Sequence, residues 1–90
     1  MSDKKVTVTV SGSSISVSPD PVKPKKATDN VKWESDKSFT IDLPGYTVDY
    51  RMEGAKFVGV TGTFPTVEKL KYSVASPGAT DLDPEVDIQP

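Results

Sequence analysis

The chain contains no cysteine and no histidine. Without cysteine there is neither a disulfide framework nor a zinc–thiolate cluster to brace the fold, so an apolar core has to hold it alone. Without histidine, the commonest general base near neutral pH, the usual imidazole metal ligand and the usual pH switch are all missing. No apolar run approaches the roughly 20 residues of a membrane-spanning helix. Neither sign of charge dominates, since 11 lysines and arginines stand against 13 aspartates and glutamates, a formal net charge of -2. That balance offers no strong attraction to phosphate backbones or anionic lipid, so neither nucleic acid nor membrane is an expected partner. The start, Met1 to Lys5, leads into alternating Val and Thr instead of a signal-peptide core. The chain as written is therefore expected to be cytoplasmic, although a removed leader behind a replacement Met1 would read the same way.

What is present is strand periodicity. Ninety residues suit one domain, expected to span residues 1–90, because a second core would leave each half too little interior. Val6, Val8 and Val10 alternate with Thr7, Thr9 and Ser11, and Ile15 and Val17 repeat the period after Gly12-Ser13-Ser14. Pro19 and Pro21 then forbid a regular central strand, and residues 23–30 read as a solvated connection. Val31 and Trp33 share a face, as do Phe39, Ile41 and Leu43 further on. Pro44-Gly45 marks a turn, after which Tyr46, Val48, Tyr50 and Met52 share a face up to Glu53-Gly54, in either a strand or a long excursion. Lys56 to Phe64 reads as a strand carrying Val58, Val60 and Phe64, with Gly59 and Gly62 marking bulges or close backbone approach. Leu70, Tyr72 and Val74 give another strand, and Leu82, Pro84, Val86 and Ile88 alternate with acidic residues at the end. About seven to eight short strands with no sustained helical period predict an all-β Greek-key sandwich or barrel.

The run Ile15 to Val22, the Val31-Lys32-Trp33 pattern and Phe39-Thr40-Ile41 resemble the first half of small cupredoxin-like domains. Lys71-Tyr72-Ser73-Val74, with Val86-Asp87-Ile88, resembles their closing strands, and the likeness is loose between Gly45 and Phe64. The resemblance implies a cupredoxin-like sandwich. Such domains hold type 1 copper with a Cys thiolate, two His and usually a weak axial Met. By pattern Phe39 falls near the first His position, Val74 near the Cys, Pro77 or Gly78 near the second His, and Leu82 near the Met. All four positions are occupied by residues that cannot coordinate copper, so the resemblance implies the fold without the copper site, and no cofactor is expected.

Several residue groups are candidates for function. Trp33, Tyr46 and Tyr50, with Phe57 beside them, would offer aromatic contact area to a sugar, a peptide or a protein. Trp33, in its Val-x-Trp strand, is expected to pack between sheets, whereas Tyr46 and Tyr50 beside Pro44-Gly45 have the better claim to exposure. Asp81, Asp83, Glu85 and Asp87 sit at every second position, a spacing that invites a carboxylate Ca²⁺ site, although Pro84 stiffens the segment. No spacing selects a catalytic carboxylate pair, and no serine stands in a strand-to-helix setting that would activate its hydroxyl. The expectation is a non-catalytic binding or structural module, with an unidentified protein or small ligand as partner. The alternatives are a carboxylate Ca²⁺-binding protein and an immunoglobulin-like adhesion domain. Pro19, Pro21 and Pro24 would blunt one sheet edge, and an unprotected edge elsewhere would permit a homodimer.

Overall fold

The computed structural model describes residues 2–90, in which nine strands and no helix are formed. They are β1 (Ser2–Ser11), β2 (Ser14–Ser18), β3 (Asp29–Ser35), β4 (Thr40–Asp42), β5 (Val48–Glu53), β6 (Lys56–Thr61), β7 (Lys69–Lys71), β8 (Ser73–Ala75) and β9 (Glu85–Asp87). Five of them build a mixed sheet in the order β2-β1-β3-β6-β5, in which β1 and β3 run parallel and the other neighbours antiparallel. The first strand is longer than the Val/Thr alternation suggests, because pairing of backbone with Asp29 to Glu34 needs no apolar side chains at its start. There Lys5 meets Glu34 at 3.3 Å and Lys4 meets Asp29 at 3.9 Å.

Cross-strand partners point to the same face of a sheet, so register identifies the inner face. Val6 lies opposite Trp33, Trp33 opposite Gly59, and Gly59 opposite Tyr50, which places one row across four strands. Val6 and Trp33 are fully buried and Tyr50 is 49% exposed, so the row runs from core to rim. The inward residues of β6 are therefore Phe57, Gly59 and Thr61. Val58 and Val60 lie on the other face with Glu34, Lys32 and Arg51 opposite them. Val58 is buried there, outside the main apolar cluster. Gly59 is closely approached: a Cβ at this position would sit 3.0 Å from Val48 Cγ1 and 3.2 Å from the Tyr50 ring, so those side chains would have to shift to admit it.

The remaining strands cover that inner face as a second layer, giving a β-sandwich in general form. Leu70 pairs with Val86 and Val74 with Leu82, so residues 69–75 run antiparallel to residues 82–87 in one unbroken register. On one flank β8 pairs with β4. On the other, Val22 and Lys25 bridge in parallel to Val86 and Gln89, which makes residues 22–25 the outer rail of this layer. Val22, Tyr72, Val74, Val86 and Ile88 meet Val6, Val31 and Trp33 in a single core. The Trp33 and Tyr72 rings pack 5.3 Å apart, and the buried indole Nε1–H donates to the Tyr72 hydroxyl at 3.1 Å. Polar atoms taken out of water generally have such a partner.

Candidate functional site

The most coherent concavity lies where β4 and β8 meet. An open depression of about 330 Å³ is lined by Ser38, Phe39, Thr40, Ala75, Ser76 and Pro77. It shares Thr40 and Ala75 with a second hollow that reaches Asp42 and Asp81, and Ser38, Ser76 and Pro77 with a third that reaches Lys37. Together they form a trough with a cation at one end and carboxylates at the other. Long-range pairing creates it: Thr40 lies opposite Ala75, and Ser76 Oγ donates to the Ser38 carbonyl at 2.7 Å. Phe39 is buried, so its ring is the apolar floor of the depression, and hydroxyl groups supply the polar rim. Such a lining suits hydrogen bonding and apolar contact.

The aromatic residues singled out from sequence part company. Trp33 is fully buried between the two layers, against Tyr72, so it belongs to no surface platform. Tyr50 sits at the rim against Phe39, with ring centroids 6.4 Å apart. Its hydroxyl accepts the Ile41 N–H at 2.7 Å and donates to the Ile41 carbonyl at 3.2 Å. Tyr46 is half-buried and packs edge-on against Phe64 at 5.0 Å, with its hydroxyl 3.4 Å from Glu68. Burial first, and then the Glu68 charge, push its ionisation upward. The two tyrosines thus serve different segments, and only Tyr50 borders the depression through Phe39 and Ile41.

The acidic series does not gather. Among the described residues no three carboxylates are placed to hold a metal ion. Asp81 and Asp83 are exposed in the approach to β9, whereas Glu85 and Asp87 lie within it, half-buried. An extended strand separates alternate side chains by about 6.5–7 Å, too far for a compact oxygen cage. The charges that do converge are on the outer face of the five-stranded sheet. There Glu53 takes Lys32 at 2.8 Å and Arg51 at 2.7 Å. The hydrogen bond from Lys32, and then that from Arg51, hold the Glu53 carboxyl below its ordinary range, and the Glu53 bond raises Lys32 in turn. This network lies over β3, β5 and β6 and is a solvated brace.

Ser38, Ala75 and Ser76 were not singled out from sequence. Pro77-Gly78 was legible as a turn, but only the pairing of β4 with β8 sets it beside Phe39. No protein-family model matches the chain. Comparison with curated proteins gives no match either.

Proposed function

We propose that the chain is a non-catalytic binding or structural module on a cupredoxin-like, Greek-key fold that lacks copper, and that its contact surface is the depression between β4 and β8. The observation that carries this reading is the convergence of the four positions where the resemblance would put metal ligands. Val74 and Leu82 exchange backbone hydrogen bonds of 2.9 and 3.0 Å, Val74 lies opposite Ile41, and Phe39 and Pro77 line one depression. All four are apolar, and Phe39 and Val74 are buried, so where metal ligands would stand there is apolar packing that ends at the depression. The sheet order β2-β1-β3-β6-β5, with β1 parallel to β3, favours this over an immunoglobulin-like adhesion domain, whose constant-type sheet has the order A-B-E-D.

Rebuilding the ligand set tests the fold assignment. Phe39→His, Val74→Cys, Pro77→His and Leu82→Met together should take up Cu(II) with the intense thiolate charge-transfer colour of a type 1 site. A folded variant that binds copper without that band would show that the positions do not correspond. The binding role is tested by amide chemical-shift mapping with short peptides and oligosaccharides. Perturbations gathered at Ser38, Thr40, Ala75 and Ser76 support it, whereas steady turnover of any added compound overturns the non-catalytic reading.

A further inference from the structure

Sheet edges expose backbone groups that another chain can pair with, and proteins commonly guard them. Three edges here are guarded. β5 carries Asp49, Arg51 and Glu53; β4 has the N–H and C=O of Ile41 bound by the Tyr50 hydroxyl; and residues 21–25 carry Pro21, Lys23 and Pro24. The edge formed by β2 is different. Ser14-Ile15-Ser16-Val17-Ser18 contains no charge and no proline, and among the described residues it pairs with β1 alone. The prolines expected to blunt an edge follow β2 and protect the outer rail of the second layer instead.

The register shows which backbone groups are open. Gly12-Ser13 is a two-residue hairpin loop, with Gly12 at φ 61° supplying the left-handed first position. The flanking pair Ser11–Ser14 is then mutually hydrogen bonded, as are the alternate pairs Thr9–Ser16 and Thr7–Ser18. The N–H and C=O of Ile15 and Val17 consequently point away from β1, along the open edge. The hairpin tip is held in place, since Ser13 C=O accepts the Thr80 N–H at 2.9 Å and Ser14 Oγ donates to Ser11 C=O at 3.0 Å.

We propose that β2 is a self-recognition edge, through which two copies of the chain pair antiparallel about a two-fold axis at Ser16. The segment has the same character read in either direction, Ser, β-branched, Ser, β-branched, Ser, which is what an isologous interface requires. Rotation about Ser16 sets Ile15 opposite Val17 of the second copy and Ser14 opposite Ser18, with four backbone hydrogen bonds and no charge facing a charge. Ile15 is buried and Val17 half-buried on the core side, so their pairing extends the apolar row that Val8 and Val10 begin. β-Branched cross-strand pairs are favourable in such a ladder. The joined sheets would form one ten-stranded surface and leave the β4–β8 depression open on each copy.

Sedimentation equilibrium on the wild type, S16K, S16E and an equimolar mixture of the two variants tests this. Ser16 is exposed, and its side chain faces away from the core, so both variants keep the monomer fold, as an unchanged amide spectrum would verify. The wild type should show a reversible dimer, and each variant about fivefold or more weaker association because like charges meet at the axis. The mixture should recover it. A wild type that keeps the single-chain mass up to about 1 mM, a range where weak pairing is still detectable, overturns the proposal. So does association unaffected by S16K, or a mixture that recovers nothing. These masses are independent of shift mapping at residues 38–40 and 75–77, so the binding-module reading and the edge proposal can fail separately.

Discussion

Ala27 occupies a backbone conformation that an L-residue rarely takes, with φ at 64°. The turn around it leaves no choice: Lys25 N–H donates to the Asp29 carboxylate at 2.9 Å, Asp29 N–H to Lys25 C=O at 3.0 Å, and Ala27 N–H to Phe64 C=O at 2.9 Å. A left-handed non-glycine residue costs about 1–2 kcal/mol, and glycine returns part of that through its freer unfolded chain. Ala27→Gly is expected to stabilise the protein by about 0.5–1 kcal/mol, read as a rise in the urea midpoint with an unchanged slope. Tyr72 gives a pH signature at the same scale. Burial pushes its ionisation up to about 12, against a partial opposing effect of the Trp33 N–H bond. Below the ordinary tyrosine value of 10.0 the side chain is neutral in both states, so its full contribution is present. As pH rises from there towards 12, the unfolded chain ionises first and stability falls, by an amount on the order of 2–3 kcal/mol. Tyr72→Phe should lose less over the same window. It should also start about 1–3 kcal/mol less stable at pH 8, because the buried indole N–H is left without an acceptor.

At the scale of elements, the short strand β4 is held from both sides. Thr40 and Asp42 face β8, while Ile41 presents its backbone outward to the Tyr50 hydroxyl. One side chain from β5 thus ties the first sheet to the edge of the second layer and closes that edge. Tyr50→Phe keeps the contact with Phe39 but removes both hydrogen bonds, and should cost about 1–2 kcal/mol. Amide exchange at Ile41 should accelerate in the variant, while that at Asp42, whose backbone faces β8, stays protected. Equal acceleration at both amides would mean that the hydroxyl supports the whole strand pair and not its edge alone. Gly59 belongs to the same device, because without a Cβ it lets the Val48 and Tyr50 side chains lie close across β6.

For the whole molecule, function reduces to which surfaces the two layers leave open. The closing acidic stretch continues the antiparallel register with residues 69–75, and that pairing keeps its alternate carboxylates apart. The melting temperature is accordingly expected to be unchanged in millimolar Ca²⁺. A rise of several degrees would require a carboxylate site that binds the folded state preferentially. The trough at the β4–β8 end and the open edge of β2 are the two surfaces that carry no such neutralising explanation.

Alternation in the sequence was sufficient for the all-β class and for most of the core, because period two assigns a strand's faces whatever its neighbours are. Val6, Val8, Trp33, Ile41, Val74, Val86 and Ile88 were legible in this way, and all are buried. Periodicity does not say which of two faces turns inward when both hold β-formers. In β6 the inward position beside Trp33 went to Gly59, and Val58 went outside, since only the register with β3 and β5 decides it. The candidate site was less legible still. Ser38 to Thr40 and Ala75 to Pro77 are far apart in the chain and unremarkable in type, and they become a depression only through pairing across thirty-five residues. Strand position already set Trp33 towards the core, but only tertiary packing made Tyr46 a prop for Phe64 and Tyr50 a clasp on β4. Local residue types determined what each segment could form; contacts between distant segments decided which groups remained available to a partner.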